Sequence, residues 1–168
     1  MNIILIGFMG SGKSAAGYLL AEKLRMQYLD CDALIAQAEK MSITDIFAKK
    51  GEKYFRDLET EVIKTLADYD NFVIAAGGGM VLRAENVKML KAIGPLVLLW
   101  AEPDAIYSRV QNQTHRPLLN VPDPKAEIER ILMERKPIYE KAADYTVDTT
   151  NLGIGDSADR IIQWIRSR

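Results

Sequence analysis

The segment from residue 3 to residue 17 constrains the possible folds most strongly. Ile3–Ile6 is a continuous apolar run, and the next eight residues read GFMGSGKS. They match the pattern G-x-x-x-x-G-K-[ST] in full, and residues 13–25 then repeat apolar side chains at helical spacing. A strand that turns through glycines into a helix presents unpaired backbone N–H groups at the turn. The sequence therefore predicts a phosphate-binding loop (P-loop) that holds a nucleoside triphosphate.

The residue types of this loop suit that chemistry. Successive N–H groups can surround phosphate oxygens, Lys13 can neutralise charge on the outer phosphates, and the Ser14 hydroxyl can bind Mg²⁺. The alternative is a glycine-rich turn with a surface lysine. The strand before the loop and the helix after it favour the nucleotide site.

A P-loop alone does not choose between a kinase, a GTPase switch, a motor and a passive nucleotide binder. The strings D-x-x-G and N-K-x-D, typical of GTPases, do not occur, and no apolar strand ends in Asp-Glu as in motors. A long polar stretch, residues 111–123, precedes a late helical segment. This order favours a small-molecule or nucleotide kinase, in which a lid closes over the phosphates and excludes water.

The pattern along the whole chain predicts an α/β protein. Five short apolar segments alternate with helical stripes, at residues 3–6, 26–32, 72–76, 95–100 and 145–148. Such alternation indicates right-handed crossovers and a five-stranded parallel sheet covered on both faces by helices. Ligands of these folds bind beyond the carboxyl ends of the strands, where the glycines and acids of this chain lie.

Composition excludes several classes of function. The 168 residues fit one domain, and a net charge of −1 argues against broad contact with nucleic acid or acidic membranes. Cys31 is the only cysteine, so no internal disulfide can form. No apolar stretch approaches the roughly 20 residues that span a bilayer, and no secretion signal is apparent. We expect a cytoplasmic protein with no nucleic-acid or membrane partner.

Two carboxylates, Asp30 and Asp32, close the second predicted strand. One could help to hold Mg²⁺ through water, and the other could accept a hydrogen bond from an acceptor hydroxyl. Alternatively, Asp32 caps a helix that begins at Ala33. We favour a role in metal or acceptor binding for these carboxylates, and Asp32 could both cap the helix and bind the acceptor.

Six strings in the same order as in the family make the chain resemble the shikimate kinases. They are GFMGSGKS, YLDCD, SITDIFAKKGEKYFRDLE, AAGGGMV, HRPLL and ERKPIYEKAADYTVDT, which together span nearly the whole chain. The resemblance implies a three-layer P-loop kinase fold in one domain, 1–168, with a substrate-binding helical segment near 32–61 and a short lid near 112–123. It also implies Mg²⁺-dependent transfer of the γ-phosphoryl group of ATP to the 3-hydroxyl of shikimate, which gives shikimate 3-phosphate and ADP.

The resemblance also implies roles for individual residues. Catalytic roles fall to Lys13, Asp32 and the lid residue Arg116, and the metal site to Ser14 and Asp30. The carboxylate of shikimate would bind two arginines, and glycines would let the backbone approach its ring. The implied substrate-binding residues are Asp32, Arg56, Gly77, Gly78, Gly79 and Arg135, and the implied ATP-binding residues are Gly10, Ser11, Gly12, Lys13, Ser14, Ala15, Arg109 and Arg116.

Spacing leaves local alternatives for these side chains. Arg56 could form an ion pair with Glu52 or Glu59, and Arg135 could pair with Glu134 or Glu140. The three glycines could form a plain turn, and Arg116 could be a solvated loop residue.

Two other functions also remain open at this stage. One is a gluconate-type or nucleoside monophosphate kinase, and the other is a nucleotide-binding regulator without catalysis. In either case we expect a monomer that binds small molecules.

Overall fold

A five-stranded parallel sheet forms the centre of the molecule. The computed structural model describes residues 1–113 and 119–168. The strands are β1 (Ile3–Ile6), β2 (Gln27–Asp30), β3 (Phe72–Ala75), β4 (Leu96–Trp100) and β5 (Tyr145–Asp148), in the spatial order β2-β3-β1-β4-β5. All four neighbouring pairs are parallel, for example with Leu5 opposite Ala75 on one side and Val97 on the other.

Helices connect the strands and cover both faces of the sheet. Within the described ranges they are α1 (Lys13–Leu24), α2 (Cys31–Glu39), α3 (Ile43–Leu66), α4 (Ala84–Ile93), α5 (Pro103–Val110), α6 (Pro124–Ala142) and α7 (Ile154–Arg166), with a 3-10 turn at Met80–Leu82. Alternate residues of β1 enter different cores. Ile4 and Ile6 pack toward the side of α3, α4, α5 and α6, whereas Ile3 and Leu5 pack toward α1 and α7. The arrangement is a three-layer α/β fold, as the pattern of the sequence predicts.

Two sequence-based boundaries are wrong at the end of β2. The strand ends at Asp30, and α2 begins at Cys31 rather than at Ala33. The Asp30 carboxylate accepts a hydrogen bond from the Ala33 N–H at 3.1 Å, so Asp30 is the N-cap. Asp32, for which a capping role was the alternative, lies in the first turn of the helix.

The long element α3 contains the two helices that the sequence predicts for residues 42–51 and 52–69. They meet at Gly51, whose conformation is non-helical, φ 84° and ψ 170°, and together they run from Ile43 to Leu66. Gly51 therefore forms the kink between the two helices, because glycine alone adopts this conformation readily.

The carboxyl ends of the strands carry the predicted site residues to one edge of the sheet. The P-loop follows β1, Asp30 ends β2, and the three glycines follow β3. None of the helices in the described ranges is both long enough and apolar enough to cross a membrane. Arg116 and the central part of the predicted lid, residues 114–118, lie outside the described residues.

Candidate active site

The P-loop has the backbone shape of an anion-binding turn. Gly7, Gly10 and Gly12 have φ values of 141°, 72° and 101°, which other residues rarely adopt. Gly12 is also the N-cap residue of α1, so no side chain covers the first N–H groups of this helix. These N–H groups and the positive end of the helix dipole are available to an anion.

The Lys13 side chain folds back over the loop that precedes it. Its ammonium group donates hydrogen bonds to the carbonyl oxygens of Gly7, at 2.7 Å, and Phe8, at 2.9 Å. The positive charge is thereby held at the mouth of the P-loop, where the outer phosphates of a nucleotide would lie.

A cleft of about 290 Å³ joins the P-loop to Asp32 and Gly78, two of the predicted acceptor residues, whereas Arg56 and Arg135 do not line it. Lys13, Ser14, Asp30, Asp32 and Gly78 all contribute to its walls. The structure therefore brings together residues from three different strand ends. A phosphoryl donor on the P-loop would face the two carboxylates across this cleft.

The donor set in this cleft suits Mg²⁺. Ser14 supplies a hydroxyl oxygen and Asp30 a carboxylate oxygen, and both line the same wall. Mg²⁺ prefers six oxygen ligands and retains waters, so phosphate and water oxygens would complete its coordination. The residues present therefore fit the predicted ion.

A second cavity, of about 460 Å³, adjoins the first and shares Gly12 and Ala15 with it. Arg109 and Thr149 line the second cavity. The Arg109 guanidinium donates to the Gly10 carbonyl at 3.0 Å and to the Thr149 carbonyl at 2.6 Å. A base connected to phosphates on the P-loop would extend into this cavity and contact Arg109, as the resemblance implies.

Thr149 is a residue of this cavity that sequence reasoning missed. It is buried, and its hydroxyl oxygen lies 2.9 Å from the Ser11 carbonyl oxygen and 3.1 Å from that of Trp100, so its single proton can be donated to either. Its position directly after β5, at the carboxyl edge of the sheet, was the available signal. Thr149 thus links the ends of β4 and β5 to the P-loop.

Two of the three glycines, Gly77 and Gly79, pack directly against predicted substrate residues, and Gly78 lies near the P-loop backbone. A Cβ atom on Gly79 would lie 2.1 Å from Nη1 of Arg56, and one on Gly77 would lie 2.7 Å from Oδ1 of Asp32. No other residue type fits at either position without displacing those side chains. The turn therefore does more than reverse the chain, because it allows Arg56 and Asp32 to lie against the backbone.

Arg56 forms the local ion pair that its spacing allows. Its Nη1 donates to both carboxylate oxygens of Glu59, at 3.0 and 2.9 Å, and its Nη2 donates to Glu52 at 3.4 Å. This is not a surface pair, because the side chains of Arg56 and Glu59 are only 13% and 1% exposed. The Nε of Arg56 is buried and has no hydrogen-bond partner among the described residues. The described hydrogen-bond partners of the Arg56 side chain are thus both carboxylates of its own helix.

Glu59 is a second residue that sequence reasoning did not assign to the site. Burial raises the pKa of its carboxyl group to about 7, and the positive charges of Arg56 and Arg135 oppose the rise. Its place three residues after Arg56 was visible in the sequence, but only as a possible ion-pair partner. The structure places Glu59 between the two predicted arginines and beside Gly77.

Arg135 projects from α6 toward the same region. Its guanidinium lies 5.7 Å from the centre of the Phe8 ring, which belongs to the P-loop. Glu134, one of its predicted local partners, instead binds Arg130 at 3.2 Å. Arg56 and Arg135 thus approach one buried carboxylate from two different helices.

Comparison with known proteins supplies the decisive observation. A family model described as shikimate kinase matches residues 9–166. The chain is 46% identical over 162 residues to a shikimate kinase of Thermodesulfovibrio yellowstonii, covering 96% of this chain and 93% of that protein. The chain belongs to the shikimate kinase family. It is also 41% identical to the shikimate kinase of Pelotomaculum thermopropionicum, over 98% of this chain and 95% of the relative.

Solved structures of shikimate kinases have the same fold. The shikimate kinase of Acinetobacter baumannii in complex with shikimate superposes with a TM-score of 0.95 at 37% identity, covering 99% of this chain and 93% of that one. The shikimate kinase from Aquifex aeolicus superposes with a TM-score of 0.86 at 37% identity, covering 99% of this chain and 97% of that one. The chain is therefore an ATP-dependent kinase that phosphorylates a hydroxyl group of shikimate and uses a divalent cation. The predicted fold class and function are confirmed, and the two rival functions are not supported.

Proposed function

We propose that this shikimate kinase transfers the γ-phosphoryl group of MgATP to the 3-hydroxyl of shikimate within the cleft between the P-loop and the glycine turn. The observation that carries this assignment is that one cleft is lined by Lys13 and Ser14 on the donor side and by Asp32 and Gly78 on the acceptor side. Both reactants would then lie at the carboxyl edge of the sheet with no large movement of the strands.

On the donor side, the first N–H groups of α1 would bind the phosphates. Lys13 would exchange its contacts with the Gly7 and Phe8 carbonyls for phosphate oxygens. Ser14 and Asp30 would hold Mg²⁺, which would supply positive charge to the phosphate groups. The adenine would enter the second cavity and lie against Arg109.

On the acceptor side, Arg56 and Arg135 would bind the carboxylate of shikimate. Guanidinium groups suit this task because their donors match the two oxygens of a carboxylate. The substrate carboxylate would compete with Glu59 for Arg56, which already binds one carboxylate in the same geometry. The absence of side chains at residues 77–79 would let the ring approach the backbone.

Asp32 would orient the 3-hydroxyl for attack on the γ-phosphorus. The hydroxyl oxygen forms the new bond to phosphorus, the bridging oxygen leaves with ADP, and Asp32 is the group placed to accept the released proton. Phosphoryl transfer passes through a loose transition state, so positioning and charge stabilisation contribute more than the strength of a base. Asp32 is thus an orienting group first and a proton acceptor second.

The role of the lid and the setting in which the enzyme acts are inferred from the family resemblance and the sequence. Arg116, which lies outside the described residues, would reach the transferred phosphoryl group from a lid near residues 112–123. We further propose a single-domain monomer that acts in the cytoplasm without a nucleic-acid or membrane partner, in line with a net charge of −1.

A coupled assay that detects ADP tests the proposal. Wild-type protein with ATP and Mg²⁺ should respond to shikimate and not to gluconate or nucleoside monophosphates. Arg56→Ala and Arg135→Ala should each raise the KM for shikimate by about 10-fold or more, because a charged hydrogen bond contributes about 1.5–3 kcal/mol. Lys13→Ala and Arg116→Ala should mainly lower kcat.

Arg130→Ala is the matched control for the arginine variants. Arg130 lies on the same helix as Arg135, but its side chain is 61% exposed and pairs only with Glu127 and Glu134 among the described residues. Its KM for shikimate should equal that of the wild type. An unchanged KM in Arg56→Ala would refute the carboxylate-binding role of Arg56.

A further inference from the structure

The phenol of Tyr139 lies beneath the acceptor site. Tyr139 is fully buried and follows Arg135 by four residues on α6, so the two side chains lie on the same face of the helix. Its hydroxyl donates a hydrogen bond of 2.6 Å to the carbonyl oxygen of Gly78. This contact joins α6 to the glycine turn across 61 residues of sequence.

The same hydroxyl also interacts with Arg135. Burial raises the pKa of Tyr139, and the charge and hydrogen bond of Arg135 oppose that rise. The proton of the Tyr139 hydroxyl is directed to the Gly78 carbonyl, so the lone pairs of its oxygen are available to a donor. The Arg135 guanidinium, one helical turn away, only donates hydrogen bonds and so matches that oxygen.

Holding the Gly78 carbonyl also fixes the next peptide unit. A trans peptide is planar, so its C=O and the N–H of Gly79 point in opposite directions. With the carbonyl held toward Tyr139, the Gly79 N–H is held away from α6. Gly79 is also the residue against which the Arg56 guanidinium packs. The Tyr139 hydroxyl thus connects Arg135 with the backbone against which Arg56 packs.

We propose that Tyr139 is a positioning residue of the acceptor site, whose hydroxyl holds the Arg135 guanidinium and the Gly78–Gly79 peptide in the arrangement that receives the carboxylate of shikimate. This inference rests on the proposed function of Arg135 and of the glycine turn. Tyr139 itself need not touch the substrate. A phenol suits the role because its oxygen can accept from one group while its proton is donated to another.

The test is Tyr139→Phe, which keeps the buried ring and removes only the oxygen. The KM for shikimate should rise about 5- to 20-fold, the range that follows from losing one hydrogen bond and leaving its buried partner unsatisfied. The kcat and the KM for MgATP should stay within about twofold of the wild type. Tyr145→Phe is the matched control, since Tyr145 stacks on Trp164 on the opposite side of the sheet. It should leave the KM for shikimate unchanged.

A double-mutant cycle with Arg135→Ala separates positioning from a general loss of stability. If Tyr139 acts in part through Arg135, the factor by which Tyr139→Phe raises the KM should be at least about twofold smaller in the Arg135→Ala background than in the wild type. The same 5- to 20-fold factor in both backgrounds would overturn the proposal, as would a lower melting temperature with an unchanged KM. If the wild-type protein releases no ADP in response to shikimate, the proposed function fails together with this inference. An active wild type with kinetics equal to those of Tyr139→Phe refutes the inference alone.

Discussion

Arg56 binds a carboxylate of the protein where the substrate carboxylate is proposed to bind. This carboxylate belongs to Glu59, and both of its oxygens accept hydrogen bonds from Arg56. The Glu59 side chain is almost fully buried, and the charge of Arg135 also acts on it. A buried carboxylate beside two guanidinium groups offsets part of their positive charge. It also restrains Arg56, because Nη1 donates to both of its oxygens.

The raised pKa of Glu59 has a consequence for stability. Burial raises the pKa of its carboxyl group from the ordinary value of 4.5 to about 7 in the folded protein. Between these pH values the folded state binds more protons than the unfolded state, so the free energy of unfolding falls as the pH rises from 4.5 to 7. The loss is on the order of 3 kcal/mol, since each pKa unit corresponds to about 1.4 kcal/mol.

Glu59→Gln should remove this contribution. We expect the free energy of unfolding of the variant, measured by urea denaturation, to fall less steeply between pH 4.5 and 7 than that of the wild type. Glu61→Gln is the control, because Glu61 lies on the same helix with a side chain that is 65% exposed and bonded to Lys64. Parallel pH profiles for the wild type and Glu59→Gln would contradict the raised pKa.

At the scale of single residues, the sequence predicted the residues of the motifs but not the residues that support them. Lys13, Arg56 and Arg135 stand in selective strings, and the structure brings them to one edge of the sheet. Spacing alone cannot show whether an arginine and a glutamate three residues apart lie in water or in the interior, so Glu59 remained only an ion-pair candidate. The spacing of Tyr139 from Arg135 could not reveal its contact with Gly78, because Gly78 lies on a distant segment.

At the scale of elements, α3 shows how one residue shapes the acceptor region. Its first part, before Gly51, packs against α2, and its second part carries Arg56 and Glu59. The sequence predicted a break at Gly51 because glycine punctuates helices. It also predicted a helix directly after Gly51, but not the angle between the two helices, because that angle depends on how both parts pack against the rest of the protein.

Gly51→Ala tests the conformation at this bend. A Cβ atom there would meet no other atom within 4 Å, but φ 84° and ψ 170° is a conformation that only glycine adopts without strain. We expect a loss of about 1–3 kcal/mol in the free energy of unfolding from backbone strain alone. The measurement is chemical denaturation.

Gly155→Ala is the matched control for this substitution. Gly155 lies in α7, also with nothing within 4 Å of an added Cβ, but without a positive φ. Alanine should stabilise the protein there by up to about 1 kcal/mol, because it lowers the conformational entropy of the unfolded chain. Equal effects of the two substitutions would show that Gly51 is not strained.

At the scale of the molecule, the strand order β2-β3-β1-β4-β5 assembles the site. The chain crosses from β1 to β2 at one edge, so the P-loop and Asp30 are separated by β3, which contributes the glycine turn between them. Alternation of strands and helices predicted a parallel sheet and ligands at its carboxyl edge. It did not predict the strand order, which depends on contacts between distant segments.

The proposed metal site and the proposed shikimate site use different residues, and this predicts how the enzyme responds to metal removal. The proposed cation ligands Ser14 and Asp30 differ from the proposed carboxylate ligands Arg56 and Arg135. EDTA should abolish turnover and weaken ATP binding, while the Kd for shikimate measured by calorimetry should change by less than about twofold. Added Mg²⁺ should restore turnover. Loss of shikimate binding in EDTA would show that the metal site and the shikimate site are not independent.

The two adjoining cavities, which meet at Gly12 and Ala15, also bear on inhibitor design. A single compound that tethers adenosine through a chain of phosphates to a cyclic hydroxy acid would follow one continuous path over these two small residues. Binding of either end would raise the effective concentration of the other, so such a bisubstrate compound should bind more tightly than its separate parts. Larger side chains at this junction would block the tether while leaving each cavity open to its own fragment.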